Sequence, residues 1–402
     1  MPPVSLEKMN ALFLIQNIAP YHSARINHFA AEYEYGTYVL TSNSSEEFAI
    51  LGEYESDPVF VNLRLDDFSY VAFRKLVIEN CINYIFCSGY SFYASILAIR
   101  LAAELHNVYI FACWESNYFD KKRFFLSERF KSLLVSCYSG FLVGSESHGD
   151  YVRRLYTSTQ PLRIMLGYDV VDNYHFSPKK SNESRRKDNP GVRFIAVSRF
   201  EKKKNLLRLI HAFSLALSCY HKTTQYKETK IGMQLILVGA GTLEPKINRL
   251  IAKLDLGDHV CLTGPVAYSS LPELYGCCDV LIHPSTTEQW GLVINEAMSA
   301  GLAVLCSTQT GASKVLVDAD NGYTFDAYSI NSIAAAITGI MTMPKAQIES
   351  FGVNSLTKVN LLAPLSSFSH GALALIKSDP IHKPKHSLLN RLVISILCLL
   401  LK

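Results

Sequence analysis

Residues 192–217 read VRFIAVSRFEKKKNLLRLIHAFSLAL. A short run, 192–197, apolar but for Arg193, meets a polar turn, and apolar residues then recur at helical spacing from 205 to 217. A short, mostly apolar run followed by an amphipathic segment predicts a buried strand and the helix that covers it. The pattern continues outward. Strands are expected at 233–238, 259–263, 280–283 and 303–306, with helices at 243–254, 271–277, 292–300, 330–341 and 368–377. Upstream, 11–16, 37–41, 82–87, 108–113 and 141–144 read as strands, and 67–79, 92–105, 127–136 and 145–155 as helices. Such alternation predicts α/β architecture, with parallel sheets covered on both faces. Between the two series lies SPKKSNESRRKDNP, 177–190, a polar stretch ending in Pro that reads as a linker. The expected organisation is two doubly wound domains, 1–176 and 191–365, facing a cleft, with no internal repeat. Ligands in such sheets bind outside the carboxyl ends of the strands.

Composition narrows the function classes. The chain has 402 residues, 49% hydrophobic and 18% charged, so it can bury large cores and is not generally disordered. No run reaches about 18 uninterrupted apolar residues, so no ordinary membrane-spanning helix is expected. The net charge is +4. From Lys377 onward there are five basic residues against one acidic, so the remainder is neutral overall. A nucleic-acid binder carries its basic field over a folded domain, and none is expected here. The ten cysteines form no CxxC pair and read as buried free thiols in a reducing compartment. The start, MPPVSLEKMNALFLIQ, lacks a signal peptide's charged segment and cleavage site. The expectation is a cytoplasmic protein, or one on the cytosolic face of a membrane.

Three segments carry chemistry. EQWGLVINE holds Glu288 on a loop and Glu296 about one turn inside the helix that Gly291 opens. That helix start offers free backbone N–H groups and positive dipole charge, a site for phosphate. Glu296 sits in an otherwise apolar helix, which argues against an ordinary surface carboxylate. RFEKKKN places Arg199 and Lys204 at a strand's carboxyl end, where fixed cations can neutralise a diphosphate leaving group. Lys202 and Lys203 read as a solvated turn. GAGT, from Gly239, is a glycine turn lacking the third glycine of a dinucleotide fingerprint. There is no GxxxxGK[ST] loop, no HExxH and no GxSxG elbow.

In order and spacing, AVSRFEKKKNLLRLIHAF, LILVGAGTLEPKINRLIAKLDLGDHVCLTGPV, LPELYGCCDVLIHPSTTEQWGLVINEAMSAGLAVL and NGYTF resemble the family 4 retaining glycosyltransferases (group 1) of the GT-B fold, over about 192–330. The resemblance implies that Arg199 and Lys204 bind the diphosphate, that Glu288 contacts the donor sugar and that Glu296 holds the ribose. Amides at Gly291, Leu292 and Val293 would meet the phosphates, and Gly239 joins the donor side. It implies no metal or other cofactor, and a helix at 366–380 that packs back on the first domain. NIAPYHSAR, CWESNYFDKKR and GYDVVDNYHF also resemble segments of one branch of this family. Tyr21, His22, Arg25, Glu115 and Ser116 are therefore expected on loops after strands, on the acceptor side. His283 ends a strand beside Glu288 and stands as a further neighbour of the donor.

The function expected is sugar transfer from a nucleotide-sugar to a glycan or lipid-linked acceptor, in cell-surface polysaccharide synthesis. An epimerase or phosphorylase on the same fold, or a non-catalytic sugar-nucleotide binder, are the other readings. The tail, 381–402, joins Lys383, Lys385 and Arg391 to the apolar run 392–401. A ten-residue helix spans about 15 Å, too short to cross a bilayer. It either lies in the membrane interface as a peripheral contact or packs on the protein.

Overall fold

A computed structural model describes residues 9–34, 36–41, 61–63, 69–89, 92–120, 123–178, 191–223, 232–378 and 388–400. The chain divides into two compact units. Unit 1 holds the described residues up to Val170 and from Leu365 onward; unit 2 runs from Val171 to Pro364. Most of the polar stretch 177–190, and Lys383 and Lys385, lie outside the described residues.

Unit 1 alternates β1 (Asn10–Ile15), α1 (Pro20–Glu32), β2 (Thr37–Thr41), β3 (Val61–Leu63), α2 (Tyr70–Glu79), β4 (Ile82–Cys87), α3 (Tyr93–Glu104), β5 (Tyr109–Trp114), α4 (Phe125–Val135), β6 (Gly140–Val143), α5 (Glu146–Leu155) and β7 (Ile164–Leu166). Its sheet has the order β3-β2-β1-β4-β5-β6-β7, with every pair parallel. Unit 2 continues with α6 (Asn173–Phe176), β8 (Arg193–Val197), α7 (Leu206–Thr223), β9 (Gln234–Val238), α8 (Glu244–Lys253), β10 (Val260–Gly264), α9 (Leu271–Gly276), β11 (Val280–His283), α10 (Leu292–Ser299), β12 (Ala303–Ser307), α11 (Ser313–Leu316), β13 (Gly322–Phe325), α12 (Ile330–Met341) and α13 (Lys345–Leu362). The order is β10-β9-β8-β11-β12-β13, again parallel throughout. Two helices, α14 (Ser366–Lys377) and α15 (Leu388–Leu400), return to unit 1.

The α/β, doubly wound class is as expected, and its physical basis is burial on both sheet faces. All six residues of β1 are buried, and Phe13 stacks on Phe86 of β4 with centroids 4.8 Å apart. In each sheet the strand order reverses once, between β1 and β4 and between β8 and β11. A crevice opens at such a switch point, outside the carboxyl ends of the strands.

Two expectations need correction, and the tail takes one of its two readings. Tyr21, His22 and Arg25 lie in the first turns of α1, not on a loop. Pro20 at the first helical position has no N–H to lose and suits a helix start, which is why NIAPYHSAR runs straight into a helix. The cysteines are all free, but Cys81, Cys219 and Cys261 are exposed rather than buried. Of the two readings of the tail, α15 takes the packed one on one face and leaves Leu389, Leu392 and Ile396 exposed on the other. Ile394 and Cys398 are buried in the unit 1 core, and the Asn390 amide donates to the Leu133 carbonyl of α4 at 3.3 Å. α14 packs against α1 and β7, with His28 Nδ1 2.8 Å from Ser369 Oγ. The stretch Lys345–Lys377 is apolar enough by composition to span a bilayer. It is nevertheless two helices, broken at 363–365, each burying one face in its own unit.

If α15 belongs to the core, Ile394→Ala should lower stability to urea by about 2 kcal/mol or more. Leu392→Ala, on the exposed side of the same helix, should stay within about 0.5 kcal/mol of wild type. Equal effects would show that the packed stripe has been misassigned.

Candidate active site

The switch point of unit 2 brings three loops together. The loop after β8 carries Arg199 and, on a short 3-10 turn, Lys204. The loop after β11 carries Glu288 and leads into α10. The loop after β12 supports it: Glu288 bridges to Thr310, and its carbonyl accepts from the Gly311 N–H at 3.1 Å. Asn205 ties the β8 and β11 loops to each other and to the loop after β13. Its backbone is left-handed, with φ +60°, a conformation Asn tolerates better than most residues. Its buried amide donates to Pro284 O at 3.0 Å and to Ala327 O at 2.7 Å.

Lys204 Nζ donates directly to Glu288 Oε2. His283, buried at the end of β11, places Nε2 3.4 Å from the same oxygen. Burial alone pushes the Glu288 carboxyl up, but His283 and Lys204 together hold it down at about 2. It is an anion at any physiological pH. Burial, with Lys204 beside it, holds His283 below its ordinary range despite Glu288.

α10 starts at Gly291, whose φ of +99° is one that side chains rarely adopt. A helix start leaves its first N–H groups without intrahelical acceptors, which makes Leu292 and Val293 donors for an anion. Glu296 lies in the second turn, buried, and accepts from the Tyr275 hydroxyl at 2.8 Å. Burial pushes its carboxyl up to about 7, against the opposing hydrogen bond from Tyr275. Gly239, at φ +129°, lets the turn after β9 press on the β8 loop; a Cβ there would stand 2.1 Å from Ser198 O.

The structure thus brings Lys204 and Glu288 together beside the start of α10, with Glu296 in the second turn of that helix. Arg199 stands apart, its side chain 72% exposed and 3.1 Å from Glu201. Sequence reasoning missed Asn205 and Tyr275. The first is signalled only by an Asn after a basic turn, and the second has no local signal. Among the described residues, no three His, Cys, Asp or Glu side chains converge as metal ligands.

In unit 1, Arg25 is 1% exposed and stacks between the rings of Tyr21 and Tyr168, 4.9 and 4.8 Å from their centroids. Its Nε donates to Val170 O at 2.8 Å. His22 accepts the Ala19 N–H at Nδ1, and burial and then Arg25 hold it neutral, well below its ordinary value. Burial and then Glu115 push buried Asp169 well above the usual carboxylate range. Glu115 and Ser116 follow β5 on a loop, and the Ser116 carbonyl accepts from the Trp114 indole at 2.9 Å. Asp169 and Tyr168, from GYDVVDNYHF, therefore join the residues expected here.

Residues 178–352 match the family described as glycosyl transferases group 1. O-antigen chain mannosyltransferase B of Escherichia coli is 30% identical over 144 residues, covering 36% of this chain and 35% of that protein. D-inositol 3-phosphate glycosyltransferase 2 of Catenulispora acidiphila is 29% identical over 119 residues, 29% of this chain and 28% of that one. The chain's matches thus span about a third of these curated relatives. The crystal structure of Anabaena Alr3699/HepE in complex with UDP and glucose is similar over 92% of this chain and 99% of that one, with a TM-score of 0.71 at 16% identity. The match to the group 1 glycosyl transferases covers 178–352, less than half of the chain, and the two doubly wound units share the fold of the HepE structure.

Two outcomes follow for this site. Asn205→Ala removes two buried hydrogen bonds and leaves alanine in a left-handed conformation, so it should cost about 2–3 kcal/mol in urea unfolding; a loss below 0.5 kcal/mol would remove Asn205 as the tie. Glu296 has a folded value near 7 against an ordinary 4.5. Its contribution to stability is therefore present below about pH 4.5 and lost as pH rises through 7. Glu296→Gln should be nearly neutral at pH 4.5 and stabilise by about 2–3 kcal/mol at pH 8. The same effect at both pH values would contradict the buried, raised carboxyl.

Proposed function

We propose that this protein is a retaining glycosyltransferase. It moves a sugar from a nucleotide-sugar to a glycan or lipid-linked acceptor, on the cytosolic side, in cell-surface polysaccharide assembly. The observation that carries the reading is the Lys204–Glu288 pair beside the start of α10 and the buried Glu296, all at the switch point of unit 2. The names of the relatives support the class: one is an O-antigen mannosyltransferase, and HepE was crystallised with UDP and glucose.

The chemistry follows from charge. Lys204 has three N–H donors, of which Glu288 engages one, leaving two for diphosphate oxygens. The α10 amides add further donors, and Arg199 joins once it leaves Glu201. These groups stabilise the departing nucleoside diphosphate more than the bound donor, which is the condition for catalysis. Glu288, anionic and held by Lys204, accepts hydroxyls of the donor sugar. Glu296 accepts the ribose hydroxyls. The bond from the anomeric carbon to the diphosphate oxygen breaks, and a bond to the acceptor oxygen forms on the same face. The acceptor's proton passes to the leaving phosphate. In this reading the protein supplies no nucleophile and uses no metal ion.

A panel of nucleotide-sugars, with and without lipid-linked acceptors, tests the reading through nucleoside diphosphate release and the anomeric configuration of the product. Lys204→Ala and Glu296→Ala should each lower turnover at least tenfold, about 1.4 kcal/mol or more in barrier. Wild-type rates in both variants, or interconversion of the nucleotide-sugars without release, would overturn it. Ionised Glu296 is the better acceptor, so nucleotide affinity should rise between pH 6 and pH 8. Glu296→Gln should abolish that rise.

A further inference from the structure

Three donors compete for one oxygen of the unit 2 site. Lys204 Nζ donates to Oε2 of Glu288. The buried Ser285 hydroxyl donates to the same atom at 3.4 Å, and His283 Nε2 stands 3.4 Å from it. Among the described residues no donor engages Oε1. A carboxylate oxygen has two lone-pair sites. Lys204 and Ser285 occupy both, and His283 is left over.

The leftover donor is conspicuous. His283 is 2% exposed, yet its Nε2 has no hydrogen-bond partner. Folded proteins seldom leave a buried polar atom unpaired, so such an atom calls for an explanation. The ring is held where it is. The β11 backbone pairs with β12, with His283 opposite Cys306. The start of α10 closes over the gap: a Cβ at Gly291 would stand 3.5 Å from Nε2, 3.4 Å from Glu288 Cγ and 3.0 Å from Thr310 Cγ2. Glycine leaves room there for the imidazole to reach the carboxylate.

The charges around the ring are in opposition. Glu288 favours a proton on His283 and Lys204 disfavours it. Burial pushes the Cys306 thiol up to about 12, and Gly291 and Thr310 carry no charge. A diphosphate at Lys204 offsets the ammonium charge and draws its N–H donors toward phosphate oxygens. One lone pair of Oε2 is then released, and the repulsion on His283 falls.

We propose that His283 is a positioning residue for Glu288: it takes the Oε2 lone pair that Lys204 yields to a diphosphate, and so keeps Oε1 in place for the donor sugar. One hydrogen bond replaces another, and no covalent bond changes. Only the use of Oε1 for a sugar rests on the glycosyl-transfer reading; the competition of Lys204 and His283 for Oε2 does not.

The first arm of the test needs no ligand. Lys204→Met stands for a lysine drawn away. The His283 imidazole is followed by NMR in the histidine-labelled full chain, its signal assigned by its loss in His283→Gln. The Nε2–H proton should move downfield by about 1 ppm or more in Lys204→Met, as a new bond to a carboxylate requires, and move back when Glu288→Gln is added. No movement, or movement that survives Glu288→Gln, overturns the proposal. The second arm reads turnover of a nucleotide-sugar that wild type uses. His283→Leu keeps a similar volume without the donor, whereas His283→Gln keeps an N–H at similar reach. His283→Leu should lower kcat at least tenfold while affinity for the free nucleoside diphosphate, which has no sugar, stays within about threefold. His283→Gln should recover at least a third of the wild-type kcat. Wild-type kcat in His283→Leu overturns the proposal. So do parallel losses of kcat, nucleotide affinity and melting temperature in both variants, which would mark a packing role. If wild type turns over no nucleotide-sugar, the donor reading falls and the first arm still decides this one.

Discussion

The candidate site depends on one side-chain amide. Asn205 donates to carbonyls at Pro284 and Ala327, 79 and 122 residues away, and so fixes the loops after β8, β11 and β13 against one another. Lys204 precedes it directly and Glu288 lies four residues past Pro284, so the same tie sets the ion pair. A lysine on a free turn would lose rotamer entropy in making that pair and gain little from it. Held on a buried anchor, it is ready for a second anion.

Electrostatics divides the two carboxylates. Glu288 has a lysine and an imidazole beside it and stays ionised; Glu296 has a phenol and apolar walls, and titrates near neutrality. The first therefore offers fixed charge. The second couples occupancy of the site to pH, because any ligand hydroxyl that favours the carboxylate draws its pKa down. Unit 1 repeats the switch-point arrangement with different chemistry: a buried arginine between two tyrosines, beside a carboxyl pushed above its usual range by burial and by Glu115.

The alternation of strands and helices was legible because parallel strands covered on both faces read as plain apolar runs. Ile82–Cys87, Val280–His283 and Ile330–Met341 came out with the observed bounds. Elements that break that rule did not. α1 opens on Pro, Tyr and His and reads as a loop, β7 has three residues, and α13 buries Gly352 and Ser355 among its contacts, which blurs the helical period. At the site, Glu288, Glu296 and Lys204 were legible from local context. Asn205 and Tyr275 were not, since their roles lie in partners distant in sequence. The tail's apolar run suited burial and lipid equally, and only the packing of Ile394 and Cys398 on unit 1 decides between them.

The central claim is that a nucleoside diphosphate sits where the three loops of unit 2 meet. Hydrogen–deuterium exchange of the full chain with and without UDP, GDP or ADP tests it directly. The account predicts that at least one nucleotide slows exchange in 198–206, 238–243 and 284–296, with the strongest protection at Leu292 and Val293. Protection confined to other segments, or none with any of the three, would contradict it.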